Sequence, residues 1–188
     1  EKKKIYCDPN KVVYISLEAS ETQNKISQKF LNQFSKIVIS DKKIIHKDIK
    51  YQNGITWYIG IRVNTHKNKH IIYNDGIINY NFLKNLEPPK KKNKISVIVS
   101  NKKNFPGHIK RLKFIELLLK SDLKNEIDLY GHGFREVPDK FDAIINYKYH
   151  LVLENNSIDT YWSEKLGDAF LAYSLPIYYG CKDINNFF

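Results

Sequence analysis

The fold of this chain is decided by residues 95–120, ISVIVSNKKNFPGHIKRLKFIELLLK. The run ISVIVS at 95–100 is rich in β-branched apolar residues, which is typical of a strand buried on both faces. Over 108–120, apolar residues recur at the spacing of one helix face: Ile109, Leu112, Ile115 and Leu119. A strand followed by an amphipathic helix is the repeating unit of an open parallel sheet. This stretch therefore predicts an α/β fold.

The same alternation continues towards the C-terminus. We predict further strands at 125–130, 149–154 and 176–179, and helices at 138–146 and 161–172. In parallel sheets of this kind, ligands bind at the carboxyl ends of the strands. Those ends are predicted at Ser100-Asn101, Tyr130–Gly133, Glu154–Asn156 and Gly180.

The first half of the chain predicts a separate α/β domain. Strands are expected at VVYISL (12–17), KIVIS (36–40) and ITWYIGI (55–61), with a helix over 22–34. Pro88-Pro89 disfavours helix, and four lysines follow before Ile95. We therefore expect a first domain over 1–87, a linker over 88–94 and a second domain over 95–188.

The charge of the chain does not by itself indicate nucleic-acid binding. The net charge of the 188 residues is +11, to which residues 1–110 contribute +14 and residues 111–188 contribute −3. The basic residues are mostly lysines, whereas base readout favours arginine. We expect a solvated basic surface, compatible with contact at an anionic membrane, and no nucleic-acid partner. A non-catalytic basic module remains an alternative.

The cysteines exclude two classes of small domain. The chain has two, Cys7 and Cys181, too few for a disulfide framework or a cysteine-rich zinc module. No Asp-x-Asp metal motif is present either.

Candidate binding residues follow the strands of the second domain. Glu154, Asn155 and Asn156 could bind sugar hydroxyls or cap the next helix. Lys165 lies in the first turn of a predicted helix, where a cation opposes the dipole unless an anion such as a diphosphate is bound there. The alternative is a surface pair with Glu164 or Asp168. Arg111 either lies near the same edge or is an exposed helix arginine.

Several motifs, in order, resemble those of family-ten glycosyltransferases, the α-1,3/4-fucosyltransferases of bacterial type. The signature is YKYHLVLENN at 147–156 followed by YWSEKLGDAFLAYSLPIYYG at 161–180. Segments 95–118 and 128–149 also resemble that family. The first half is similar more loosely, at 12–20, at 36–41 and at Trp57.

The resemblance implies a GT-B fold, with two Rossmann-like domains facing a cleft. Because family members are longer, we expect the chain to be truncated at both ends, with 95–188 an incomplete donor domain. The implied reaction moves L-fucose from GDP-β-L-fucose to a hydroxyl of an acceptor glycan, with inversion to an α-1,3 or α-1,4 linkage. The resemblance implies that no cofactor is required, although a metal could stimulate the reaction. A transferase for another nucleotide sugar is the alternative enzyme.

The family's donor contacts fall on five residues of this chain. Arg111 and Lys165 match the residues that contact the diphosphate, and Tyr161 and Glu164 match the tyrosine and glutamate of the Y-x-x-E-K motif. Asn155 matches the asparagine of the E-N motif. Glu164 could either stabilise an oxocarbenium-like sugar or hold fucose hydroxyls.

The general base is implied to lie in the first domain. Glu18 matches the glutamate that follows a first-domain strand, and Glu21 is a nearby substitute. A bacterial-type enzyme would act in the cytoplasm or at the cytoplasmic membrane. A fragment of a eukaryotic member would instead act in the Golgi lumen.

Overall fold

A computed structural model describes residues 6–17, 26–52, 57–61, 63–64, 69–70 and 78–188. The chain forms two compact units. The first unit contains Glu1–Ile55, Asn156–Trp162 and Cys181–Phe188, and the second contains Thr56–Asn155 and Ser163–Gly180. The domain division at 88–94 stays a prediction. No helix in the described part of the chain is long and apolar enough to cross a membrane.

The first unit contains a small parallel sheet. Its elements are β1 (Val13–Ile15), α1 (Gln28–Leu31), β2 (Lys36–Val38) and β3 (Ile49–Lys50), and the strand order is β1-β2-β3. The fully buried side chains of Leu31 and Ile37 form its core with Ile39. Strands predicted at 12–17 and 36–40 are therefore confirmed in shorter form. The helix predicted over 22–34 is found at α1, and residues 22–25 lie outside the described residues.

The strand predicted at 55–61 is wrong over the part that the structure describes, 57–61. The backbone N–H groups of this segment donate to carboxylates instead of to a neighbouring strand. Tyr58 and Ile59 donate to Asp168 Oδ1 at 2.5 and 3.0 Å, and Gly60 donates to Asp139 Oδ1 at 3.0 Å. Gly60 also has a φ of +85°, which no regular strand accommodates.

The second unit contains a four-stranded, wholly parallel sheet. In chain order the elements of the second unit are β4 (Val63–Asn64), β5 (Lys69–His70), α2 (Tyr80–Lys84), β6 (Lys92–Ile98), α3 (Pro106–Lys120), β7 (Ile127–Tyr130), α4 (Lys140–Ile144), β8 (Tyr147–Leu153), α5 (Glu164–Leu171) and β9 (Leu175–Tyr179). β4 and β5 pair separately and antiparallel. The strand order of the large sheet is β7-β6-β8-β9. The predicted alternation of strands and helices is confirmed.

The core of the second unit lies along β6, which has β7 on one side and β8 on the other. Val97 is fully buried and packs in a cluster with Val99, Ile115 from α3, and the buried apolar residues of β7 and β8. Over the second half of β6, Ile95–Ile98, the side chains are apolar or, like Ser96, small and fully buried, whereas the strand begins with three polar residues.

The strand order fixes where a ligand would bind in the second unit. From β6 the chain crosses through α3 to β7 on one side and then returns to β8 on the other side. This reversal creates a crevice outside the carboxyl ends of β6 and β8, the position at which open α/β sheets bind ligands.

Candidate functional site

Two helices begin at the crevice. α3 follows β6 and starts at Pro106, and its N-cap residue, Phe105, offers no side-chain hydrogen bond. α5 follows β8 and starts at Glu164, after Ser163, whose hydroxyl accepts a hydrogen bond from the Lys165 backbone N–H. Both helices present the positive ends of their dipoles at the carboxyl edge of the sheet, which favours a bound anion.

Glu154 holds the start of α5 in place. This carboxylate is only 3% exposed. It accepts hydrogen bonds from the backbone N–H and hydroxyl of Ser163 at 2.7–2.8 Å, and from Lys165 Nζ at 3.1 Å. Of the two roles that the sequence left open for Glu154, the structure shows the one that supports the next helix. Its partner Lys165 pairs with Glu154, and with Glu164 at 3.9 Å, rather than with Asp168.

Arg111 lies at the same edge of the sheet and is buried. Its side chain is not an exposed helix arginine, because the residue is only 7% exposed. Nη1 donates to Asn155 Oδ1 at 2.5 Å. Burial lowers the pKa of the Arg111 guanidinium, and the charge of Glu154 acts in the opposite direction. Arg111 remains a cation at neutral pH.

The close approach of α3 to the end of β8 depends on Gly107. A Cβ added at this position would lie 1.7 Å from the carbonyl oxygen of Asn155. Only glycine therefore allows the first turn of α3 to pack against this backbone. The contact places Arg111, one turn further along, within reach of the Asn155 side chain.

Glu164 is held ionised by two lysines. Lys140 Nζ lies 2.8 Å from Glu164 Oε1, and it also lies 3.4 Å from Asp168 Oδ2. Burial alone would raise the pKa of Glu164, but the ammonium groups of Lys165 and Lys140 lower it to about 2. At neutral pH Glu164 is therefore a carboxylate. It can accept hydrogen bonds or stabilise positive charge, but it cannot donate a proton.

The structure brings together four of the six predicted site residues. Arg111 contacts Asn155, and Lys165 lies near Glu164. Glu154 links the two pairs, since it binds Lys165 and its charge acts on Arg111. Tyr161 belongs to the first unit, where it is 3% exposed. Glu18 and its substitute Glu21 lie outside the described residues.

Two further polar residues also shape this site and were not predicted from the sequence. Ser163 is the N-cap of α5, and a serine directly before the first helical residue is a recognisable signal for that role. Lys140 is 24 residues from Glu164 in the sequence, so no local pattern could have joined them.

The arrangement suits a ligand that carries a diphosphate. Two cations, Arg111 and Lys165, flank the crevice, and the first N–H groups of α3 lack a side-chain cap. The Asn155 side chain and the Glu164 carboxylate add polar groups that can hydrogen-bond hydroxyls. Together these groups can bind a phosphorylated sugar derivative and stabilise negative charge that develops when it departs.

Comparisons with known proteins agree with this geometry. The sequence model described as "Glycosyltransferase family 10 (fucosyltransferase) C-term" matches residues 88–188, more than half of the chain. The chain is 31% identical over 113 residues to a fucosyltransferase-like protein of Arabidopsis thaliana. It is 39% identical over 97 residues to 4-galactosyl-N-acetylglucosaminide 3-alpha-L-fucosyltransferase 9 of Bos taurus. These matches cover 57% and 50% of the chain, respectively.

Solved structures show a similar fold. The crystal structure of an alpha1,3-fucosyltransferase with GDP-fucose aligns over 92% of this chain with a TM-score of 0.51 and 16% identity. The structure of such an enzyme with GDP gives a TM-score of 0.53 and 17% identity. The predicted GT-B type of α/β fold is confirmed. The matched part spans 53% of those solved chains, and 21% and 25% of the two curated relatives.

Proposed function

We propose, from the premise that this chain belongs to glycosyltransferase family 10, the fucosyltransferases, that it binds GDP-β-L-fucose and transfers L-fucose to an acceptor glycan. The observation that carries the proposal is the pair of buried or half-buried cations, Arg111 and Lys165, at the switch point of the parallel sheet. The proposed product linkage is α-1,3 or α-1,4, formed with inversion.

The leaving group is GDP. As the bond between the fucose C1 and the diphosphate oxygen breaks, negative charge grows on that oxygen. We expect the side chains of Arg111 and Lys165 to stabilise this charge, together with the positive end of the α3 dipole. Because these groups are fixed in place before the reaction by Asn155 and Glu154, little reorganisation is needed.

The fucose group is proposed to contact Glu164. Asn155 and Tyr161 are proposed to bind other parts of the GDP-fucose donor. The Glu164 carboxylate, kept ionised by two lysines, can accept hydrogen bonds from fucose hydroxyls. It can also stabilise an oxocarbenium-like transition state, because a fixed negative charge nearby favours positive charge at C1.

The acceptor is activated by a carboxylate from the first part of the chain. A hydroxyl oxygen of the acceptor forms the new bond to C1 from the face opposite the diphosphate, and its proton passes to a general base, proposed to be Glu18. The products are the fucosylated glycan, GDP and a protonated glutamate.

A transfer assay tests the proposal. GDP-fucose is incubated with the chain and with a panel of acceptors: free oligosaccharides, N-glycans and lipopolysaccharide-like glycans. The 4-galactosyl-N-acetylglucosaminide named for the bovine relative is the first of these to test. GDP release and the anomeric configuration of the product are followed by NMR. We expect α-linked fucose; a β-linked product, or activity with UDP-sugars alone, would overturn the mechanism or the donor assignment.

The identity of the base is tested separately. Glu18→Gln removes the proton acceptor with little change of shape, and Glu21→Gln is the matched control. We expect transfer to fall at least a hundredfold in the first variant and to persist in the second. The reverse result would assign the base to Glu21.

A further inference from the structure

Two buried nitrogen atoms on one face of α3 have no hydrogen-bond partner among the residues that the structure describes. They are His108 Nδ1 and Arg111 Nε, and both residues are only 7% exposed. Positions three apart on a helix lie on the same face, so the two atoms are neighbours in the first turns of α3. Buried polar atoms in folded proteins are nearly always satisfied. The unsatisfied Arg111 Nε–H donor, beside an imidazole nitrogen that also has no partner, therefore indicates that a hydrogen-bonding group arrives with a ligand.

The surroundings of His108 define the charge of that ligand. The side chain lies in the first turn of α3, whose N-cap residue gives no side-chain hydrogen bond. The charged groups acting on it in the described part of the chain are Arg111 on α3, Lys102 in the loop after β6, and Lys165 on α5. Glu154, at the end of β8, is already bound to Lys165 and Ser163. An anion would complete this cluster of cations at the positive end of the α3 dipole.

We propose that His108 is a further ligand of the donor diphosphate, and that Nδ1–H donates a hydrogen bond to a phosphate oxygen as the imidazole takes up a proton from solvent. This inference rests on the proposed function, since it assumes that the crevice binds a nucleoside diphosphate sugar. No covalent bond forms or breaks at His108. The proton stays on the imidazole while the donor is bound and returns to solvent on release of the nucleotide.

In the free protein, the imidazole of His108 is neutral and can take up this proton. Burial, followed by the charges of Arg111, Lys102 and Lys165, lowers the pKa of His108, so the free imidazole is neutral at pH 7. A bound diphosphate places negative charge among these cations and raises that pKa. Donor affinity therefore rises as pH falls through the range between the bound and free pKa values, because the complex binds more protons than the free protein.

Calorimetry with GDP-fucose tests the proposal. The diphosphate of GDP-fucose is esterified at both ends, so it does not titrate near neutral pH, unlike that of GDP. Titrations at pH 6, 7 and 8, in buffers of different ionisation enthalpy, give both the affinity and the protons taken up. We expect wild-type affinity to fall about tenfold from pH 6 to pH 8, the value of one charge-assisted hydrogen bond.

His108→Gln and His132→Gln are the matched variants. Glutamine keeps a donor at position 108 but cannot take up a proton, so we expect both the uptake and the pH dependence to disappear and the affinity at pH 6 to fall about tenfold. His132 is exposed and pairs with Glu136 at 2.9 Å, so His132→Gln is expected to behave as wild type.

A measurement on the unmutated chain provides the second test. The ring nitrogen signals of His108, followed by NMR, should change from the neutral to the cationic form when GDP-fucose is added at pH 7. Binding of GDP-fucose without this change, or an unaltered affinity and proton uptake in His108→Gln, overturns the role of His108 and leaves the proposed function standing. Failure of the folded wild-type chain to bind GDP-fucose overturns both.

Discussion

Glu164 and Lys140 show how single residues of the site depend on one another. Replacing Lys140 by Met leaves the carboxylates of Glu164 and Asp168 without the cation that they share. We expect the free energy of unfolding at pH 7 to fall by about 2–4 kcal/mol, since the buried Asp168 carboxylate loses its ion pair and Glu164 keeps only the more distant Lys165. Urea unfolding measures this, with Lys148→Met, an exposed lysine of β8, as the control.

The pH dependence of the difference in unfolding free energy between wild type and Lys140→Met tests whether the ion pairs of Lys140 cause it. The pKa of Glu164 is lowered from 4.5 to about 2, so its contribution to stability is complete above pH 4.5 and is lost as the pH falls towards 2. We therefore expect the gap between wild type and Lys140→Met to narrow at pH 3. A gap that stays constant between pH 7 and pH 3 would contradict the ion-pair explanation.

His150 gives a second prediction for a single residue. It is buried in β8, where its Nδ1 lies 2.7 Å from Ser96 Oγ, and burial lowers its pKa to about 3. The unfolded chain binds a proton below about pH 6.5, whereas the folded chain does not. The neutral imidazole therefore makes its full contribution to the free energy of unfolding above pH 6.5, and this contribution is lost as the pH falls below 6.5.

Unfolding curves at pH 7 and pH 5 measure this effect. Relative to His150→Gln, wild type should lose about 2 kcal/mol between these two values, at about 1.4 kcal/mol for each pH unit below 6.5. Parallel losses in the two proteins would show that the imidazole is not held neutral.

At the scale of an element, the position of α3 is set by one glycine. In Gly107→Ala the new methyl group would overlap the carbonyl oxygen of Asn155, so the helix must move away from β8. We expect a loss of about 1–3 kcal/mol in stability and weaker GDP binding, because Arg111 moves with the helix. Thermal unfolding and calorimetry measure the two effects.

A control on the same helix separates these effects from a general loss of helix quality. Lys113 is exposed on α3, and Lys113→Ala should leave both stability and GDP affinity nearly unchanged. Wild-type GDP affinity in Gly107→Ala would show that the approach of α3 to Asn155 does not position Arg111.

The elements of the large parallel sheet and the helices that connect its strands were predictable because their signals are local. β6 and α3 follow from apolar runs and helical spacing within 26 residues, and the structure confirms both. The segment 57–61 reads as a strand by composition, yet its N–H groups bind Asp168 and Asp139, which are 79–110 positions away. No local pattern records such a contact, and the same holds for the link between Lys140 and Glu164.

At the scale of the whole molecule, the positive charge and the candidate site are separate features. Residues 1–110 carry most of the excess of lysine, whereas the site uses Arg111 and Lys165, both outside that range. Their arrangement at a sheet edge, rather than the net charge of +11, supports a nucleotide ligand. A protein that bound nucleic acid through its lysines would lose affinity steeply with salt.

Titration with GDP tests the central claim, that the crevice of the second unit is a guanine-nucleotide donor site. Calorimetry of the wild-type chain is compared with Arg111→Ala and Lys165→Ala, with the exposed Arg135→Ala and Lys113→Ala as controls, and with UDP and a DNA oligonucleotide as alternative ligands. We predict micromolar-range GDP binding that is weaker by about tenfold or more in the two site variants and unchanged in the controls. A folded chain that does not bind GDP, or that binds DNA more tightly than GDP, would contradict the account.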